Sequence, residues 1–332
     1  MHDKPKFLVI GSNSFSGSTF VGYLLESGYK VYGTSRSNQP SDEFLPYKWM
    51  GTNSEFSFTK ADLNSELNKI LDLVGDVRPD YVVNFASQGM VAESWLNPLD
   101  WYETNVIAQV ALHDQLRKCN FLKKYIHIST PEVYGSTGLK IKESFNFAPS
   151  TPYAVSRAAC DLHLMSFFKA YQFPVVFTRA ANVYGPGQQL YRIIPKTVMS
   201  IKMGQKLILH GGGKSVRSFI HMRDVAEATE KIAIHGSPGL TYHISTDTYI
   251  SVYELVSMVC NLMEYPINNL VEIADDRLGK DQAYLLDSNR LNSDFNWTSK
   301  IDLKTGLTET INWIDKNFKY LSKQKLNYEH IR

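Results

Sequence analysis

The sequence predicts an α/β fold: a doubly wound parallel sheet carrying a smaller mixed α/β lobe. Three observations lead there. Short apolar runs alternate with helical stretches from the start of the chain to about residue 180, the rhythm of a parallel sheet covered by helices on both faces. A glycine-bounded turn, Gly11-Ser12-Asn13-Ser14-Phe15-Ser16-Gly17, joins the first run to the first helical stretch. At 332 residues, the chain also exceeds what one core usually holds, so two lobes are expected.

Phe7-Leu8-Val9-Ile10 reads as a strand. The helix after it puts Phe20, Val21, Leu24 and Leu25 on one face and stops near Gly28. A second strand covers 30–34 and a third precedes Asp62. Helix is expected over 64–75, strand over 80–85, helix over 100–118, strand over 125–129, helix over 152–170 and strand over 174–178. Beyond 180 the rhythm fades: Pro186, Pro195, Gly204, Gly211-Gly212-Gly213 and Pro238 punctuate shorter elements. Two further helices fit 252–264 and 303–317. Residues 1–180 are therefore assigned to a dinucleotide-binding domain, to which part of 214–237 returns, and residues 181–332 to a substrate lobe. The polar tail from Lys319 reads as a solvated end.

Lys plus Arg number 35 and Asp plus Glu 33, a net charge of +2. That balance excludes a general polyanion binder, so no nucleic-acid partner is expected. No run of apolar residues is long enough to span a membrane, and Asp3 and Pro5 break up the start as a secretory signal. Cys119, Cys160 and Cys260 are scattered, with no metal-ligand spacing. Reduced thiols, a cytoplasmic location and no metal are expected.

The glycine turn has the spacing GxxSxxG. Dinucleotide-binding turns need glycine where the backbone bends sharply and where helix packs on strand, and the helix N-terminus then offers N–H groups to a pyrophosphate. Gly11 and Gly17 occupy the outer positions. Ser14 holds the middle one, where its hydroxyl could donate to the pyrophosphate. The second strand ends Thr34-Ser35-Arg36 without the carboxylate that grips an unphosphorylated ribose. Arg36 suits a 2′-phosphate and leans the local chemistry to NADP, while the Thr34 and Ser35 hydroxyls suit NAD. Asp62 reads as an adenine contact or a helix cap.

Ser129-Thr130-Pro131-Glu132-Val133-Tyr134-Gly135 stands at the end of the fifth strand, and Thr151-Pro152-Tyr153-Ala154-Val155-Ser156-Arg157 opens the next helix. Carboxyl ends of parallel strands are where ligands bind. A hydroxyl, a carboxylate and a phenol converge there, and Tyr153 and Arg157, four residues apart, share a helix face.

With these motifs the chain resembles the extended short-chain dehydrogenase/reductases, and within them the nucleotide-sugar 4,6-dehydratases. The likeness extends through Asn84-Phe85-Ala86, Thr104-Asn105-Val106, Arg179, Asn182-Val183-Tyr184-Gly185-Pro186, Val216-Arg217-Ser218-Phe219-Ile220-His221 and Asp276-Arg277. It implies a Rossmann sheet and a tightly held NAD, with NADP as the alternative. It implies a UDP- or dTDP-linked sugar substrate and a homodimer. Tyr153 would take the proton of the sugar C4 hydroxyl, Thr130 would bond that oxygen, and Glu132 would remove the C5 proton. Arg157 stands where the family has lysine. Asn13, Phe15, Ser16, Leu63, Phe85, Ala86, Ser87 and Asn105 join the turn as cofactor-binding positions. Gln88, Asn182, Arg217 and Arg277 are implied on the substrate.

Two departures matter. Arg157 keeps the lysine's charge but changes its geometry. Pro131 replaces the acid that dehydratases of the dTDP-glucose type carry between Thr and Glu, although those of the GDP-mannose type lack it too. A substrate that has already lost water, such as the 5,6-unsaturated UDP-amino sugar of pseudaminic acid synthesis, would need no such acid. The alternatives are a C4 epimerase, which needs no base at C5, and a non-catalytic dinucleotide-binding sensor.

Overall fold

The computed structural model describes residues 4–50, 56–275 and 282–331. The chain begins with β1 (Lys6–Ile10), α1 (Phe15–Glu26), β2 (Lys30–Ser35), β3 (Phe56–Lys60), α2 (Leu67–Val77) and β4 (Tyr81–Asn84). A helical stretch follows, α3 (Pro98–Tyr102) and α4 (Ala108–Leu116), joined by a π-helical turn over Glu103–Ile107. Then come β5 (Lys124–Ile128), α5 (Pro152–Tyr171) and β6 (Val175–Ala180). Residues 100–118, read as one helix, are thus two helices with a wider turn between them. Such turns re-aim a side chain at functional sites, here that of Asn105.

The second half contains β7 (Asn182–Tyr184), α6 (Ile193–Met203), β8 (Leu207–His210), β9 (Val216–His221), α7 (Met222–His235), β10 (Thr241–Ile244) and β11 (Tyr249–Ser251). It closes with α8 (Val252–Leu262), α9 (Ile267–Leu270), β12 (Val271–Ala274), α10 (Asn289–Phe295) and α11 (Leu303–Leu321). The main sheet is seven-stranded in the order β10-β6-β5-β4-β1-β2-β3, with every neighbouring pair parallel. The doubly wound architecture stands. The return from the second half is wider than 214–237: α7 packs on the sheet, and β10 adds a seventh strand beside β6.

Alternation along the strands builds two cores. Phe7 and Val9 of β1 join Val31, Val83, Ile126 and Val176 against α1 and α7. Leu8 and Ile10 turn the other way and join Val82, Tyr125, Val175 and Phe177 against α2, α4 and α5. Successive side chains of a strand point to opposite faces, so a strand buried on both sides is apolar throughout. The smaller lobe packs α6, α8 and α11 around Val198, Leu255, Val259, Leu307 and Ile314. It carries a three-stranded sheet, β11-β9-β7, and a two-stranded one, β12-β8. Among the described residues no helix is long and apolar enough to cross a membrane, and all three cysteines are free.

Beyond α11 the tail keeps every second residue exposed, as its polarity suggested, but it does not fray. It turns back, seats Tyr328 against Tyr191 and stacks His330 on the buried Trp101.

Candidate active site

The sheet order changes direction between β1 and β4, and ligands of such sheets bind outside the carboxyl ends of the strands at that point. A cleft of about 860 Å³ lies there. Gly11 has φ +84°, and a Cβ on it would sit 2.8 Å from the Ala86 nitrogen; one on Gly17 would sit 2.2 Å from the Gly11 oxygen. Only glycine fits either place, so the turn closes tightly and leaves the start of α1 facing the cleft. The buried Asn13 Oδ1 has no partner. A close backbone cradle, a helix N-terminus and an orphaned polar atom fit a dinucleotide pyrophosphate.

Ser14 plays another part than expected. Its hydroxyl donates to the Gly11 carbonyl at 2.7 Å and accepts from the Gly17 N–H at 3.0 Å, capping α1. Its one proton is spent within the turn. Ser35 accepts from the Asn13 N–H at 2.9 Å, and Arg36 donates to the Ile331 carbonyl at 3.0 Å. Asp62 accepts from the Asn64 N–H at 2.8 Å in a local turn and caps no helix. Ser16, Leu63, Phe85, Ala86 and Ser87 line the cleft. Gly17, Thr34 and Asn105 are not on its wall. Thr34 is buried beneath the turn, its carbonyl accepting from the N–H groups of Gly11 and Ser12. Asn105 is buried and holds the Gln88 backbone in both directions, at 2.8 and 3.0 Å, while also donating to Ser156.

Thr151 caps α5, its hydroxyl accepting from the Ala154 N–H, and Pro152 takes the first helical position, where a missing N–H costs nothing. The helix starts there and presents Tyr153 and Arg157 together to the cleft, alongside Thr130 and Glu132. The Thr130 side chain hydrogen-bonds the Tyr153 phenol. Burial, then the Glu132 carboxylate, pushes the Tyr153 pKa up; the Arg157 charge and the Thr130 bond pull it down, and the net direction is up. Arg157 therefore supplies the downward pull expected of the family's lysine, but burial outweighs it.

Behind these groups lies a buried polar network. Arg157 Nη2 donates to the Ile128 carbonyl and stands 3.3 Å from His127 Nε2. Asp161 Oδ2 accepts from Ser129 Oγ and from Arg179 Nη2, both at 2.7 Å. Arg179 continues to the Tyr134 hydroxyl at 2.6 Å, and Tyr134 to His243 at 2.9 Å. Asp161 is fully buried, yet Arg179 and His127 hold its pKa well below the usual carboxylate range. The strand-end motif is thus braced through Ser129, a link its spacing did not disclose.

On the other side of the cleft stand Asn182, exposed on β7, and Arg217, on β9. Arg217 Nη1 donates to the carbonyls of Val216 and Gln282, and its guanidinium lies 4.4 Å from the centre of the Tyr284 ring. Gln88 also lines the cleft; Arg277 lies outside the described residues. Arg192 and Lys196, at the start of α6, were not singled out from sequence. Their signal was available: two cations close behind Asn182-Val183-Tyr184-Gly185-Pro186.

Compared with known proteins, residues 8–310 match the family described as GDP-mannose 4,6 dehydratase. The chain belongs to that family. Among curated relatives of this dehydratase family, the dTDP-D-glucose 4,6-dehydratase of Homo sapiens is 34% identical over 322 residues, 94% of this chain and 91% of that protein. A trifunctional UDP-glucose 4,6-dehydratase, 3,5-epimerase and reductase of Arabidopsis thaliana is 31% identical over 324 residues. The match takes in 94% of this chain but 47% of that protein, so the chain spans about half its length. Among solved structures, the dTDP-glucose 4,6-dehydratase DesIV of Streptomyces venezuelae, crystallised with NAD, superposes with a TM-score of 0.87 at 27% identity. That superposition covers 95% of this chain and 98% of DesIV.

Proposed function

We propose that this chain is a nucleotide-sugar 4,6-dehydratase that oxidises C4 of its sugar, works at C5 and C6, and leaves a 4-keto-6-deoxy product. The observation that carries the reading is the meeting of Thr130, Glu132 and Tyr153 in the same cleft as the glycine turn. NAD seated on Gly11, Asn13, Ser14, Phe15 and Ser16, and reaching Ser35 and Arg36, would supply the acceptor and later the donor of one hydride. DesIV, 27% identical and crystallised with NAD, supports NAD over NADP there.

Tyr153 takes the C4 hydroxyl proton and Thr130 holds that oxygen. The C4 ketone makes the C5–H acidic, and Glu132, as a carboxylate within reach, removes it. Glu132 then returns that proton to the departing C6 hydroxyl, which leaves as water, because Pro131 cannot protonate it. After hydride arrives at C6, Glu132 delivers a solvent-derived proton to C5. Arg192, Lys196 and Arg217 are the cations of the cleft that suit a diphosphate, and the apolar wall of Leu207, Leu209 and Tyr284 suits a pyrimidine base. Asn182 and Gln88 would orient the sugar.

Two coarser properties complete the reading. Leu99, Ile107 and Leu162 expose apolar side chains on α3, the π-helical turn and α5, a face that suits a homodimer. Three free cysteines suit the cytoplasm.

Mass spectrometry of products from UDP-glucose, dTDP-glucose and a 5,6-unsaturated UDP-amino sugar tests the proposal. Loss of one water from a hexose substrate supports it. Turnover of the unsaturated sugar alone would place water loss upstream, the reading Pro131 favours. C4 inversion without water loss would make the chain an epimerase.

A further inference from the structure

The glycine turn follows β1, and β2 and β4 flank β1 in the sheet. Strands lie about 4.8 Å apart, so the ends of β2 and β4 stand on either side of that turn. Arg36 follows β2 and Gln88 follows β4. One atom ties them: the Ile331 carbonyl accepts from Arg36 Nη1 at 3.0 Å and from Gln88 Nε2 at 2.9 Å. A carbonyl that reaches both must pass across the end of β1, above the turn.

The segment leading to that carbonyl is anchored at three points before the crossing. Lys196 of α6 donates to Asn327 at 3.0 Å. Tyr328 packs edge-on against Tyr191 and lines the cleft. His330 lies parallel to Trp101, ring centres 4.9 Å apart, and its Nε2 is 2.6 Å from Asp100 Oδ2. Trp101 is fully buried and belongs to α3. The segment therefore runs from the smaller lobe to α3 of the larger one, across the mouth of the cleft.

We propose that residues 327–331 form a strap that closes over the dinucleotide and slows its release, so that the cofactor stays bound through successive turnovers. This rests on the reading that the cleft takes NAD. The physical argument is that a ligand beneath the strap leaves only after the Ile331 carbonyl gives up both bonds and His330 leaves Trp101. A reaction that returns its hydride to the same sugar needs no cofactor exchange, so slow release costs it nothing.

The test is a chain ending at Glu329, which loses the His330 ring and the Ile331 carbonyl but keeps Asn327 and Tyr328. NADH release is followed by fluorescence against an excess of NAD. The shortened chain should release NADH about tenfold faster or more, the scale of one charge-assisted hydrogen bond, one neutral hydrogen bond and a ring stack lost together. His330→Ala in the full chain should fall between the two. Carboxypeptidase should remove the last residues of the full chain more slowly when NAD is present. Release at the wild-type rate from both variants, with digestion indifferent to NAD, overturns the strap alone. A full chain that binds neither NADH nor NAD overturns the cofactor reading and the strap with it.

Discussion

Arg157 Nη2 stands 3.3 Å from His127 Nε2, with both side chains buried at the end of β5. Burial pushes the His127 pKa down to about 4, so the ring is neutral at neutral pH, and its Nε2 also lies 3.2 Å from Asp161 Oδ1. Arg157 is anchored from behind by the Ile128 carbonyl, while its charge acts on Tyr153.

Arg157→Lys should keep activity within about tenfold, since the charge persists and only the fork is lost. Arg157→Met should be far worse and should move the pH profile. A positive neighbour favours the phenolate, so removing it raises the Tyr153 pKa. Tyr153 must be deprotonated to act as a base, so the rising limb of kcat should shift to higher pH. An unmoved limb would show that Arg157 does not tune Tyr153.

Tyr153→Phe should lower turnover by a factor on the order of 10² to 10⁴, the usual worth of a positioned acid–base group. Nucleotide-sugar affinity, measured by calorimetry, should change only a few-fold, because the phenol moves a proton rather than holding the diphosphate. Near-normal turnover would remove Tyr153 from the mechanism.

Turnover in heavy water should place deuterium at C5 of the product. Glu132→Gln should stop that labelling yet still allow the absorbance change of cofactor reduction when substrate is added. Unlabelled wild-type product would sink the C5 chemistry and bring the epimerase forward.

Acid should unfold the protein in a defined window. Burial lowers the pKa of His127 to about 4 and that of His243 to about 3, against about 6.5 for a free imidazole. Between these values the unfolded chain binds more protons than the folded one. Stability is therefore full above pH about 6.5 and drains as pH falls toward 4. Scanning calorimetry should show Tm falling across that range; a flat Tm would contradict it. Asp161→Asn should cost on the order of 3 to 5 kcal/mol, since it strips the buried Arg179 of its counter-charge.

Much of this was legible in the residues alone because it is local. Alternation of Phe7 and Val9 with Leu8 and Ile10 specifies a strand buried on both faces, and Thr151-Pro152 specifies where α5 starts. Gly11 and Gly17 mark a turn that no side chain can enter. The meeting of Thr130, Glu132 and Tyr153 followed from placing two such motifs at the same sheet edge. Tertiary structure alone decided the rest. Nothing in Thr241–Ile244 says that it pairs with β6 rather than with the smaller lobe, because a short apolar run fits either. The Ser14 hydroxyl could face a phosphate or the Gly11 carbonyl, and only the closed turn chooses. The net direction of the Tyr153 pKa depends on burial, which a list of charges does not contain. Arg36 meets Ile331 across 295 positions of chain, a contact without local periodicity or spacing to announce it. Periodic patterns specify elements because each residue's neighbours are set by the helix or strand itself; contacts between distant segments are set only once those elements have packed.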